Sequence, residues 1–418
     1  MEKPIEDERR DLASIAASMA ELVPQLASRL TMWQQHLESG LAASRTPLAA
    51  EHILEASVRP LRHIWLEAAA SSTSRTYRSP SGGELPVTPA GRFQNFGYER
   101  DLQPVALEAR AARFFPPPPP GWAAEHVLFS SGQAAMNAVL TLFSSSGAGA
   151  QRLCHQGCYF ETTELLSLYK HDFQPVPLEE AEIVISEPLW CDGEHFGTTS
   201  PRVLATMANR AGIKAIAVDS TLAGLDDGLN ELLSALDRPV PVFRLHSGLK
   251  LFEAGLELAD VGIVSLYNAA KADALAHIRT LQGGGLRFAD VAALELPLFL
   301  DPEMTRRYEE AIFANNSALA RAAKDNPAFT VAYPQKPAPF VVFNLASASH
   351  YDALDERIAQ EAARCNLCFI RGGSFGFRGH RFETVRPQGK PPFLRVAMGK
   401  RRGPSMHGIL ELFRTLEP

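Results

Sequence analysis

Ile213-Lys214-Ala215-Ile216-Ala217-Val218-Asp219-Ser220-Thr221, followed one helix-length later by Val240-Pro241-Val242-Phe243-Arg244-Leu245-His246-Ser247-Gly248-Leu249-Lys250, decides the fold of this 418-residue chain. Each stretch is a short apolar run that ends in polar residues. Comparable runs occur at His126 to Phe129, Glu182 to Ser186 and Val261 to Leu266, with helical patterns between them. Such alternation predicts an α/β fold, a mostly parallel sheet covered by helices. Ligands of open sheets of this kind bind outside the C-terminal ends of the strands. Ser131, Glu187, Asp219 and Lys250 are expected there.

An isolated Asp or Lys is usually a surface charge, so the reading of this pair rests on its surroundings. A carboxylate closing one buried strand and a Ser-x-x-Lys closing a later one suit pyridoxal phosphate. The amine forms a Schiff base with the aldehyde, and the carboxylate keeps the pyridine nitrogen protonated so that the ring can accept electrons. Upstream, Phe129-Ser130-Ser131-Gly132-Gln133-Ala134-Ala135-Met136 reads as a strand end, a Ser-Gly turn and a helix start. The unpaired amides of a helix start, aided by the macrodipole, make a phosphate site. The same residues also read as a plain Ser N-cap.

The order Tyr98-x-Arg100, Ser131-Gly132-Gln133-Ala134-Ala135, Tyr159, Asp219-x-Thr221 and Ser247-x-x-Lys250, closed by Leu394-Arg395-Val396-Ala397-Met398-Gly399, resembles the cystathionine γ-synthase/γ-lyase (Cys/Met metabolism) family of fold-type-I pyridoxal-phosphate enzymes. The likeness runs from about residue 92 to the C-terminus. It implies the fold-type-I transferase fold, with a mostly parallel sheet in a large domain and a smaller α+β C-terminal domain. It also implies that Lys250 carries the cofactor, Asp219 faces the pyridine nitrogen, Gly132, Gln133 and Ser247 hold the phosphate, and Ser131 and Thr221 are further cofactor-binding residues. Tyr159 would stack on the ring and share proton transfer with Lys250. Tyr98 and Arg100 would reach the cofactor phosphate of a neighbouring subunit, making a homodimer or homotetramer with shared sites. Arg395 would clamp the substrate α-carboxylate, a task that suits a planar fork, and Ser374 would add a second contact.

The chain departs from the family pattern at three places. Leu249 replaces the Thr of Ser-x-Thr-Lys, and Tyr159-Phe160-Glu161-Thr162 replaces Tyr-Gly-Gly-Thr with bulky and charged residues. Glu187-Pro188-Leu189-Trp190-Cys191-Asp192 lacks the family's Asn beside the phenolic oxygen, leaving Trp190 and Cys191 as candidates for its position. The implied activity is γ-elimination or γ-replacement on an amino acid with a γ-leaving group. A specialised pathway is expected, such as γ-halide elimination giving an alkyne amino acid. A β-lyase, an aminotransferase, a racemase and a catalytically inactive pyridoxal-phosphate-binding homologue are the alternatives.

The resemblance implies an amino-acid substrate as the partner, and composition argues against others. With 41 Lys and Arg against 47 Asp and Glu the chain carries net charge −6, which disfavours nucleic acid. No apolar run approaches the ~18 residues that span a bilayer, and the acidic start is unlike a signal peptide, so a cytoplasmic location is expected. The five cysteines are too scattered for a disulfide framework. Zinc held by Cys365-x-x-Cys368 with Cys154-His155 and Cys158 is an alternative, but Cys365-x-x-Cys368 reads as well as an apolar strand entrance, and no metal is expected. Residues 1–97 read as a helical N-terminal extension and extended arm, 98–290 as the large domain and 291–418 as the small one. Pro116 to Pro120 read as a stiff connector.

Overall fold

The computed structural model describes residues 3–72, 85–145, 149–157, 159–210, 212–238, 240–268, 270–347, 350–387 and 389–416. Much of the expected arm, and Cys158, lie outside the described residues. Three helices open the chain: α1 (Lys3–Leu22), α2 (Ala27–Ala43) and α3 (Pro47–Ser71). Thr46 caps α3 by accepting from the Ala49 amide at 3.1 Å, and Pro47 takes the first helical position, where its missing amide costs nothing.

An α/β stretch follows, beginning with α4 (Val105–Phe114), β1 (Ala124–Phe129), α5 (Gly132–Ser144) and β2 (Gln151–Gln156). It continues with α6 (Phe160–Leu168), β3 (Phe173–Pro175), β4 (Ile183–Ser186) and a hairpin of β5 (Leu189–Cys191) and β6 (Phe196–Thr198). Then come α7 (Pro201–Arg210), β7 (Ala215–Asp219), α8 (Leu229–Ala235), β8 (Val242–Ser247), α9 (Gly248–Leu251) and β9 (Gly262–Tyr267). Helices α10 (Ala272–Gln282), α11 (Phe288–Leu294) and α12 (Pro302–Ala323) lead to β10 (Thr330–Ala332) and β11 (Val341–Asn344). The chain closes with α13 (Tyr351–Arg364), β12 (Phe369–Arg371), β13 (His380–Val385), β14 (Phe393–Ala397) and α14 (Pro404–Thr415).

Seven strands form one sheet in the order β1-β9-β8-β7-β4-β2-β3. Strands β8, β7, β4, β2 and β3 pair in parallel, and β9 runs against both β1 and β8. Six strands therefore share one direction, the mostly parallel α/β sheet expected from the sequence. Burial on both faces explains the continuous apolar runs. In β7, Ala215 and Ala217 join α5 and α10 on one face, while Ile216 and Val218 pack with α7 and α8 on the other. The register Asp219↔Leu245 brings the ends of β7 and β8 together, and β8 runs on to Ser247.

The second sheet, β10-β11-β14-β13-β12, packs with α12, α13 and α14 around Phe343, Phe382, Leu394 and Phe413. Helices α1 to α3 share a continuous core with residues 251–312, and Trp65 Nε1 donates to the Ala293 carbonyl at 2.8 Å. Cys154 lies on β2, whereas Cys365 and Cys368 flank the turn between α13 and β12. Among the described residues no helix is long and apolar enough to cross a membrane.

Candidate active site

A cavity of about 540 Å³ opens beyond the C-terminal ends of β7 and β8 and is faced by the second sheet. Ser131, Gly132, Gln133, Tyr159, Asp219, Thr221, Ser247 and Lys250 line it from one side, and Ser374 and Arg395 from the other. Ten of the twelve residues singled out in the sequence therefore share one cavity. Tyr98 and Arg100 do not line it. Both are exposed, with the Arg100 guanidinium 5.3 Å from the Tyr98 ring centre.

Asp219 ends β7 and accepts from the Thr221 amide at 3.0 Å. Burial, with Glu187 nearby, pushes its carboxyl up to about 6, and among the described residues no ion pair reaches it. Thr221 Oγ1 in turn accepts from the Ser247 amide at 3.0 Å, locking the ends of the two strands together. At the start of α5 the Ser131 hydroxyl caps the helix by accepting from the Ala134 amide at 3.0 Å. That leaves the first-turn amides of Gly132 and Gln133 without intrahelical partners. A Cβ on Gly132 would stand 3.1 Å from that of Ser247, so glycine is what lets the two segments close into a cradle.

Lys250 lies in the single turn of α9, and its Nζ donates to Ser374 Oγ at 2.5 Å and stands 5.7 Å from the Phe375 ring centre. Burial and the Arg395 charge lower its pKa. Ser374 has φ +69°, and a Cβ on Gly376 would collide with the Lys250 carbonyl. Tyr159 Oη donates to Glu161 Oε2 at 2.6 Å, while its amide donates to Glu187 Oε1 at 3.1 Å. Burial and then the Glu161 bond push the phenol up. That is the reverse of the tuning toward neutral pH expected of a proton shuttle, because a carboxylate acceptor favours the neutral phenol.

Arg395 donates from Nε to Glu383 Oε1 at 2.8 Å and from Nη2 to the same oxygen. Arg371 pairs with Asp355, Arg386 with Asp352, and Arg378 with Glu8, and none of the three lines the cavity. Among the cavity residues not assigned roles in the sequence are the charged Glu383, Asp260 and Lys390. Glu383 pairs with Arg395 across β13 and β14, a register invisible before folding, and Asp260 stands close enough to Lys250 to offset part of the Arg395 charge. Of the two candidates for the missing Asn, Cys191 lines the cavity, and Trp190 packs against Gly197 across the hairpin.

The donor set fits pyridoxal phosphate on two counts. Among the described residues the Asp219 carboxylate on the cavity wall has no ion-pair partner, which suits a group that would hold a pyridinium, and the first-turn amides at the Gly132–Ser247 cradle suit a phosphate.

No family model matches the chain, and no curated protein matches its sequence. Solved structures do match its shape. Apo CalE6, a methionine γ-lyase from Micromonospora echinospora, is 18% identical with a TM-score of 0.54, covering 82% of this chain and 91% of its own. MetB from Corynebacterium glutamicum is 16% identical with a TM-score of 0.56, covering 83% and 97%. Cystathionine γ-lyase from Lactobacillus plantarum, complexed with L-serine, is 16% identical with a TM-score of 0.57, covering 82% and 91%. The chain has the fold of these fold-type-I enzymes.

Proposed function

We propose that the protein is a pyridoxal-phosphate enzyme of the cystathionine γ-synthase/γ-lyase type, acting by γ-elimination or γ-replacement on an amino acid with a γ-leaving group. The observation that carries this reading is the meeting of Lys250, Asp219, Tyr159 and Arg395 around one cavity at the strand ends. The cofactor, when bound, supplies an electron sink for the pair released at the substrate Cα. Asp219 would hold the proton on the ring nitrogen, and the amides of Gly132 and Gln133 with Ser247 would hold the phosphate. Lys250, its pKa lowered by burial, is suited to take and return a proton at Cα. Arg395 would orient the α-carboxylate, and Tyr159 would lie along the ring as a hydrogen-bonded neutral phenol.

Phe160 and Glu161, both lining the cavity where the family pattern has glycines, support a specialised substrate, and a γ-halogenated amino acid is one that this reading admits. The exposed Tyr98 and Arg100 support a dimer as the smallest active unit, with cytoplasmic amino-acid metabolism as its setting. Borohydride reduction of the holoenzyme followed by peptide mapping should place the pyridoxyl group on Lys250. Label on Lys214 or Lys271 would overturn the assignment. A panel of γ- and β-substituted amino acids read by mass spectrometry then separates γ-elimination from β-elimination, transamination, racemisation and no turnover.

A further inference from the structure

Glu383 is placed to do more than balance a charge. It lies on β13 directly opposite Arg395 on β14, and its Oε1 accepts both the Arg395 Nε bond at 2.8 Å and the Ser374 amide at 2.9 Å. The Ser374 hydroxyl accepts from Lys250 Nζ at 2.5 Å. A Cβ on Gly373 would come within 2.9 Å of Glu383 Oε2, so the 373–376 turn is wedged between this carboxylate and the Lys250 backbone. Ser374 keeps a left-handed φ of +69° that a non-glycine residue holds only when its surroundings over-determine it.

We propose that Glu383 is a positioning residue that couples recognition of the substrate carboxylate to the reactive lysine. Its bonds use the Nε–Nη2 edge of the Arg395 guanidinium, which leaves Nη1 for a second carboxylate. A long, rotamer-rich side chain is thereby ordered before substrate arrives, and the ordering cost is met on folding rather than on binding. The same oxygen holds the turn that presents Ser374 to Lys250. Glu383 thus serves the carboxylate subsite without touching the substrate, an inference that rests on the carboxylate role proposed above for Arg395.

The test uses L-alanine and L-alaninamide as probes, with binding to the holoenzyme followed by cofactor absorbance. Glu383→Ala should weaken L-alanine binding at least tenfold and leave L-alaninamide binding nearly unchanged. Glu383→Gln, which can still accept both bonds, should recover part of the loss. Tighter L-alanine binding by either variant would mean that Glu383 merely competes for the guanidinium, and equal weakening of both probes would mean a general packing role. Either result overturns the proposal. Arg395→Ala separates the two levels, because unchanged L-alanine binding in that variant removes the carboxylate reading itself. A second readout needs no cofactor: the pH midpoint for acylation of Lys250 in the full-length chain. Glu383→Ala removes a nearby negative charge and releases Ser374, and both changes disfavour the ammonium. The midpoint should fall, with Asp260, Glu161, Arg395 and Arg381 as the other charges acting on Lys250. An unchanged midpoint would break the link to the lysine.

Discussion

Tyr159 donates its phenolic proton to Glu161, two residues further along the chain, at 2.6 Å inside the cavity. The pair binds the Tyr proton more tightly than burial alone would, because ionising the phenol would set two negative charges side by side. Glu161→Gln should therefore lower the Tyr159 titration midpoint by about one pH unit, equivalent to ~1.4 kcal/mol. Site-specific tyrosine labelling read by NMR measures it directly. If Tyr159 sets the upper limb of the pH–rate profile, that limb moves to lower pH in parallel. A midpoint unmoved by the substitution would show that Glu161 has no hold on the phenol.

The strand ends of the large sheet could be read from sequence because strands buried on both faces leave continuous apolar runs, with Asp219 and Ser247 as their polar terminators. The second sheet left a weaker trace. β13 carries Arg381, Glu383 and Thr384 among its apolar residues, so its alternation was hidden. Short strands such as β3, β5 and β6 hold three residues each, too few for any periodicity. The cavity residues beside the large sheet were found because they sit at element boundaries, Asp219 and Ser247 ending strands and Ser131 capping a helix. Glu383 was missed because its meaning comes from a cross-strand partner twelve positions away.

Helix α1 is tied to the same turn that carries Ser374. Arg378, buried, donates to Glu8 Oε1 at 3.0 and 2.8 Å and to the Ala254 carbonyl at 3.0 Å, so the N-terminal helix, the 373–378 turn and the loop after Lys250 meet at one guanidinium. Asp11 pairs with the same guanidinium, so Glu8→Ala removes one of its two carboxylate partners and should cost ~1.5–3 kcal/mol of unfolding free energy in urea titrations. The pKa values of Glu8 and Asp11 are lowered by Arg378 and Lys400 against the cost of burial, so their contribution is present at neutral pH. It is lost as pH falls below ~4 and these carboxylates protonate. A loss under ~1 kcal/mol would show that α1 is not a brace.

Tyr98 and Arg100 are exposed and away from their own chain's cavity, as residues that serve a neighbouring site would be. Arg100→Ala and Lys250→Ala chains should each be inactive alone. Mixed and allowed to exchange, they should recover about one competent site per heterodimer if the contact is made in trans. Activity no higher than either parent would assign Arg100 to its own chain.

Glu253, in the loop after α9, accepts from the Leu258 and Ala259 amides at 2.5 and 3.4 Å, yet burial pushes its carboxyl up to about 8, helped by Asp260 and opposed by Arg62. The folded state then keeps a proton that the unfolded chain releases near pH 4.3. Between these two values the unfolded chain binds fewer protons, so stability declines as pH rises, by at most ~1.4 kcal/mol per pH unit for this group. Glu253→Gln resembles the protonated acid and should flatten that decline, raising Tm relative to the wild type at pH 8 and changing it little at pH 5. The gain is limited because among the described residues Oε1 has no hydrogen-bond partner, and the new amide would be left unpaired there. Glu309, also raised to about 8 by burial, is untouched and keeps its own share of the slope. Thermal melts between pH 5 and 8 that superimpose for wild type and variant would mean that Glu253 is ionised in the folded protein.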